Sequence, residues 1–220
     1  GVEWECPQLQ KLAVSLGVSM PSTRGTNWVA VLYHLLDQSQ HAVVAVDMLT
    51  PGLPLDYCNE AFSALTLWPR NEALGKSCRF LQDQKTEPQV LSNMITAIRR
   101  HEHFAQRITN VRKDGSHFSN DLSLHPIFDS NNVCRLMVGM LGVASDAEVS
   151  PPTLISLRKH LPSSPVDVAL MPCEPSKFEP VPVVEQWKEH QGTNTKLIRL
   201  LWATEPDGAL RQLLAMQPMM

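Results

Sequence analysis

The chain has no Cys-x-x-Cys pair, no basic stripe and no apolar run long enough to cross a bilayer, and each lack removes a class of protein. Its five cysteines, at positions 6, 58, 78, 134 and 173, are odd in number and widely spaced. That pattern argues against a disulfide framework and against a zinc site, and it reads as reduced, intracellular thiols. Lys and Arg total 19 against 22 Asp and Glu, for a net charge of -3. This is not the electrostatic footprint that phosphate backbones require, so nucleic acid is not expected as a direct partner. The longest apolar stretch, residues 136–144, is about half of what a membrane-spanning helix needs, and glycines interrupt it. No basic start with an apolar core and cleavage site opens the chain, although a first residue Gly leaves a removed segment open. Kinase, nucleotide-binding and DNA-reading motifs are missing, and nothing resembles a substrate site or a nicotinamide fingerprint. The expectation is a soluble, cytoplasmic protein that is not an enzyme and touches no membrane.

What is present is enough for one good core: 220 residues, 43% of them hydrophobic, fit one domain with appendages or two small ones. Eight of the seventeen prolines fall between residues 151 and 182. That segment reads as a linker, with a Pro-rich loop folded back on the core as the alternative. Ahead of it, AVVAVD (42–47) is a β-branched strand that stops at TPGLP, and LDYCN (55–59) resumes as a second. Short helices follow, one capped by Asn59 and one ended by Gly75. TEPQVLSNMITAIRRHE carries a capping-box pattern at Thr86 and Gln89, a proline in its first turn, and Val90, Leu91, Met94, Ile95 and Ile98 at helical spacing. Three strand-like runs (103–112, 116–128, 133–144) come next, joined by KDGS and DSNN turns. HEH at 101–103 reads as a helix-end turn, since no third metal ligand stands at useful spacing. The order predicts an α+β fold, an antiparallel sheet with helices on one face.

Two asparagines in that sheet demand an account. Asn110 shares a strand face with Phe104 and Ile108, and Asn120 shares one with Phe118, Leu122 and Leu124. The Asp114–Gly115 turn brings the two together. A buried amide is costly unless paired. A planar heteroaromatic ligand would offer hydrogen-bonding edges while packing on the apolar neighbours; bonding to nearby backbone or water is the alternative.

Residues 75–83, GKSCRFLQD, complete a pattern. GKSCRFLQ resembles GxNCRFLQ, the signature of LOV domains, the blue-light-sensing branch of the PAS superfamily. VVAVD, YCNEAFSALT, the long helix, KDGSHF and VGML follow in LOV order over about residues 28–146, and Cys78, Asn110, Asn120 and Leu141 stand at the family's spacings. The resemblance implies a five-stranded PAS/LOV fold holding a noncovalent flavin, usually FMN, with riboflavin or FAD as alternatives. It implies that Cys78 is the photoactive thiol, which forms a reversible thioether with flavin carbon C(4a) on illumination. No preformed thiolate is obviously required, although Arg79 next to it could lower the thiol pKa. Arg79 matches the arginine that reaches the flavin phosphate, and Gln82 matches the glutamine near the ribityl chain. Asn110 and Asn120 match the pair that reads the pyrimidine edge. Val44, Val46, Leu81, Leu91, Met94, Ile98, Leu122 and Leu124 match positions that pack on the ring. Cys58 and Cys134 fall in strands away from the motif.

Three positions depart from the family. Ser77 replaces an asparagine, shortening a ribityl-side contact. Ile95 stands where FMN binders often have a second arginine, leaving one cation for the phosphate unless Arg99 substitutes. Leu141 replaces the glutamine whose amide bonds the flavin and reorients to pass the signal. The resemblance divides the chain into an N-terminal helical extension (1–27), the LOV domain (28–146), the Pro-rich linker (147–182) and a C-terminal amphipathic segment (183–220). The flanks, with apolar stripes such as Val184, Trp187, Leu197, Ile198, Leu201 and Trp202, pack back on the core, form a homodimer or dock an effector protein. The implied function is a blue-light photoreceptor, with a flavin redox sensor or a non-photoactive interaction module as the alternative.

Overall fold

A computed structural model describes residues 5–24, 26–144 and 157–162. The segment 183–220, read above as amphipathic helices, and Cys173 lie outside the described residues.

Two helices lead: α1 (Pro7–Leu16) and α2 (Trp28–Asp37). In α2 the buried residues Trp28, Val31, Leu32, Leu35 and Leu36 recur at the three- and four-residue spacing that puts them on one face. Asn27 starts the helix, its side-chain oxygen accepting from the Ala30 amide at 2.8 Å, which satisfies one of the first-turn donors. The sheet then begins with β1 (Ala42–Asp47) and β2 (Leu55–Cys58). It continues after α3 (Glu60–Thr66), α4 (Arg70–Ala73), a 3-10 turn (Cys78–Leu81) and α5 (Pro88–Arg100). The last strands are β3 (Phe104–Val111), β4 (His117–Phe128) and β5 (Cys134–Val143). All pairings are antiparallel, in the order β2-β1-β5-β4-β3. Pro126 is tolerated in β4 because β3 has already ended at the Phe104–Leu124 pair, so the missing amide falls where β4 has become an edge.

Side chains alternate across the sheet, and so do the cores. One face is covered by the elements of residues 60–100. The other carries Val43, Ala45, Tyr57, Ile127, Leu136, Val138 and Met140, which form one buried cluster with α1, α2 and residues Leu157 and Leu161. Together α1 and α2 close the face that the central helices leave open. Within the stretch read as a linker, Leu157 and Leu161 of the described residues 157–162 pack into this cluster.

Several joints fix these layers. Tyr33 of α2 stacks on Tyr57 of β2 at 4.4 Å between centroids, and their hydroxyls donate to Asp56 at 2.6 Å and Asp37 at 2.8 Å. Asn59 is wholly buried. Its oxygen accepts from the Val43 and Phe62 amides, at 3.0 and 3.1 Å, while its Nδ2 donates to the carbonyls of His41 at 2.8 Å and Leu36 at 3.2 Å. One amide thus caps α3, as the sequence predicts, and also ties it to the end of α2 and the start of β1.

The start of α5 differs from the capping-box expectation. Glu87 occupies the N-cap. Thr86 turns its hydroxyl to the Thr109 carbonyl at 2.8 Å, and Gln89 bonds Asn93 one turn on. The Glu87 carboxylate accepts from the Thr109 amide and hydroxyl, at 2.8 and 2.6 Å. Tertiary partners on β3 have taken over both groups. At the far end, His101 has φ 54° and caps the helix, the helix-end role read from HEH.

Candidate functional site

The cysteine motif is fastened at both ends before any side chain is considered. Gly75 has φ 77°, a left-handed conformation that glycine adopts without strain. It lets the chain pair with β2 through Gly75 N to Leu55 O at 2.8 Å and Leu55 N to Lys76 O at 2.9 Å. The other end is held by the Asn110 amide, whose Nδ2 donates to the Leu81 carbonyl at 2.9 Å. Between these anchors the 3-10 turn presents Cys78 toward the sheet.

Beneath it lies a cavity of about 110 Å³. Val44 and Val46 of β1, Leu122 and Leu124 of β4, and Leu141 of β5 line it from the sheet. Met94 and Ile98 line it from α5, and Ser77, Cys78, Arg79, Leu81 and Gln82 from the motif. Asn110 and Asn120 complete the set. Of the residues singled out from the sequence, Leu91 does not border the cavity; it is buried elsewhere on α5, and Ile95 takes its place. Leu53, Phe62, Ile108, Met137 and Gly139 also line it. Ile108 was legible as a face-mate of Asn110. Leu53 carried no signal, because it sits at φ 49°, where leucine has no preference to be.

Polarity is concentrated at one end. Asn120 stands opposite Ile108 on one side and Val143 on the other, whereas Met137 and Val46 stand at the level of Pro126. Six residues of strand, about 20 Å, separate these rungs. Asn110 and Asn120 are 5% and 0% exposed. Asn120 Nδ2 donates to Asn110 Oδ1 at 2.8 Å, and Asn120 Oδ1 accepts from the Gly142 amide at 3.2 Å. Both amides are thus paired with each other and with backbone. The walls that the sheet and α5 supply beyond them are apolar, while Ser77, Arg79 and Gln82 add polar groups from the motif.

Burial, and secondarily the neighbouring Cys58, pushes the Cys78 thiol up to about 12. At neutral pH it is a protonated thiol, and Arg79 does not lower it. Cys58 is not remote from the motif, as its strand position suggested. The β1–β2 register sets it beside Val44, and it packs in the same cavity-side cluster as Cys78. Cys134 lies near the far end of β5. Burial lowers Arg79 to about 10; it remains a cation.

Comparison with known proteins agrees with this geometry. A family model described as PAS domain matches residues 43–141. Blue-light-activated histidine kinase 2 of Erythrobacter litoralis is 40% identical over 99 residues, which are 45% of this chain and 29% of that protein. Phototropin-2 of Oryza sativa subsp. japonica is 33% identical over 105 residues, 48% of this chain and 12% of that one. A solved light-oxygen-voltage domain, studied with a flavin analogue, superposes with a TM-score of 0.50 at 30% identity, covering 52% of this chain and 85% of that one. The chain spans less than a third of either curated relative. Its core is a PAS domain. Within that superfamily it belongs to the light-oxygen-voltage, or LOV, branch. Among the described residues no helix is long and apolar enough to cross a membrane.

Proposed function

We propose that this domain is a blue-light receptor that holds FMN in the cavity under the 3-10 turn, with Cys78 as the residue that bonds reversibly to it. What carries the reading is that a protonated thiol, a buried amide pair and a set of apolar walls line one cavity. Bound flavin would supply the blue-light absorption and the electron-accepting carbon C(4a). Cys78 would contribute a cavity-lining sulfur that carries its own proton, so reaction with a bound flavin would draw on orientation rather than on a prior thiolate. Asn110 and Asn120 would offer the pyrimidine edge the hydrogen-bonding capacity left over from their bonds to each other and to backbone, and Val44, Val46, Leu81, Met94, Ile98, Leu122, Leu124 and Leu141 would exclude water from the ring. Gln82 and Ser77, which line the cavity, would face the ribityl chain. Arg79 offers the phosphate a charge-assisted bond.

The division into a 28–146 sensor and flanks that carry output through a homodimer or an effector protein belongs to the same proposal. So does a cytoplasmic protein without enzymatic activity of its own.

The test is optical. The purified protein should be yellow, bleach under blue light and recover in the dark. Cofactor released by denaturation should be mainly FMN, and Arg79→Ala should weaken FMN while leaving riboflavin affinity nearly unchanged. A colourless protein sinks the reading. A yellow one that does not bleach leaves a flavin redox sensor in its place, and recovery of mainly riboflavin removes the role given to Arg79.

A further inference from the structure

The sheet face opposite the cavity holds one residue whose chemistry the light-sensing site does not use. His125 of β4 is 2% exposed, and its Nε2 lies 2.9 Å from the Pro162 carbonyl oxygen. A carbonyl can only accept, so Nε2 carries the hydrogen and Nδ1 is the bare nitrogen. That Nδ1 is buried with no hydrogen-bond partner among the described residues. The segment it holds, residues 157–162, begins with a helical turn, and its Leu157 and Leu161, 5% and 2% exposed, join the cluster under α1 and α2. Two leucines one helical turn apart and one imidazole bond thus help attach the C-terminal flank to the sheet.

We propose that His125 is an acid-sensitive latch, holding residues 157–162 on the sheet while its ring is neutral and releasing them when it takes a proton from solvent. A second proton would have to go on Nδ1, in a pocket that offers it no acceptor and little water. The groups facing the ring oppose it further. The His103 ring, from the segment entering β3, lies edge-on at 4.5 Å between centroids, and Arg158 of the docked turn adds positive charge, with His160 two residues beyond it. Across the ladder β5 places only Val138. On β4 itself the Asp121 carboxylate, four residues along the same face, is bound by Arg107 at 2.8 Å. Burial lowers His125 to about 4 in spite of the Pro162 bond, which acts in the opposite direction.

The sign follows by linkage. A histidine with pKa about 4 when docked and about 6.5 when released contributes docking stability that is whole above pH 6.5, declines below it, and is gone near pH 4. The measurement is amide hydrogen exchange across residues 157–162 at pH 7.5 and 5.5, corrected for intrinsic rates, and it requires no bound flavin. Protection of this turn should fall about tenfold between the two values, with β4 and β5 unchanged. In His125→Asn, which can still donate to Pro162, the fall should vanish, and in His103→Gln it should persist. A turn indifferent to pH overturns the proposal, as does an undiminished fall in His125→Asn or its loss in His103→Gln alone. If His125→Asn fails to fold, NMR titration of the natural protein decides: a His125 midpoint below 5 supports the latch, and one near 6.5 ends it.

Discussion

Asn120 donates to Asn110 across the β3–β4 ladder at 2.8 Å, and the pair is one link in a continuous chain of amides: Gly142 N to Asn120, Asn120 to Asn110, Asn110 to the Leu81 carbonyl. It runs from the last strand to the turn that carries Cys78. Removing the middle link leaves a buried oxygen on Asn110 unpaired, which costs about 1–3 kcal/mol. Asn120→Ala should lower unfolding stability by about 2–3 kcal/mol in urea titrations. A double-mutant cycle with Asn110→Ala should show coupling of about 1 kcal/mol. Additive losses would mean that the two amides do not act together.

Cys78→Ala should keep flavin binding and abolish reversible bleaching, because the side chain supplies the bond and little of the cavity. Cys58→Ala is the informative control, since Cys58 packs in the same cluster as Cys78. It should bleach normally. Bleaching lost in Cys58→Ala but retained in Cys78→Ala would reassign the thiol.

Leu141 lines the cavity from β5 and has no hydrogen-bonding group. Leu141→Gln places an amide there and should shift the dark flavin spectrum slightly, through one added donor to the ring. Adduct formation and recovery should persist in both forms, since the C–S bond does not need that amide. An unmoved spectrum would mean that the ring does not reach position 141.

Gly139 stands between its ladder partners Val44 and Leu124 on the cavity side of β5. A Cβ built there would lie 2.9 Å from Val44 Cγ2 and 3.4 Å from Leu124 Cδ2. Gly139→Ala should cost about 1–3 kcal/mol by overpacking and reduce the fraction of purified protein carrying flavin. Val44→Ala in the same chain should restore part of both, read by thermal unfolding and by the absorbance ratio of flavin to protein. No recovery in the double variant would show that another contact sets the limit.

The parts of this fold that read easily from sequence were those governed by local rules. The β-branched run of β1, the Asn59 cap and the apolar face of α5 each express a preference held within a few residues. The site was legible for a different reason: eight residues of motif and two asparagines at fixed spacing imply a family, and strand alternation then aims them at one cavity. What escaped was tertiary. Thr86 and Glu87 have the composition of a helix start, yet β3 captures their side chains. Cys58 looked distant because 20 positions separate it from Cys78, and only sheet register brings it alongside. Leu53 and His125 owe their places to a left-handed loop residue and to a carbonyl 37 positions away, neither of which leaves a trace in composition.

The alternation of β5 sorts its residues by consequence. Met137, Gly139 and Leu141 look into the cavity, while Leu136, Val138 and Met140 hold the cluster beneath α1 and α2. A mutational scan of this strand should therefore report in two channels, odd positions changing colour and photocycle, even positions changing how firmly the flanks are held. Deleting one residue from the middle of β5 would exchange the two channels for every residue beyond the cut. Such a chain would present Met140 to the flavin and Leu141 to the helices, with the chemistry of neither face intact.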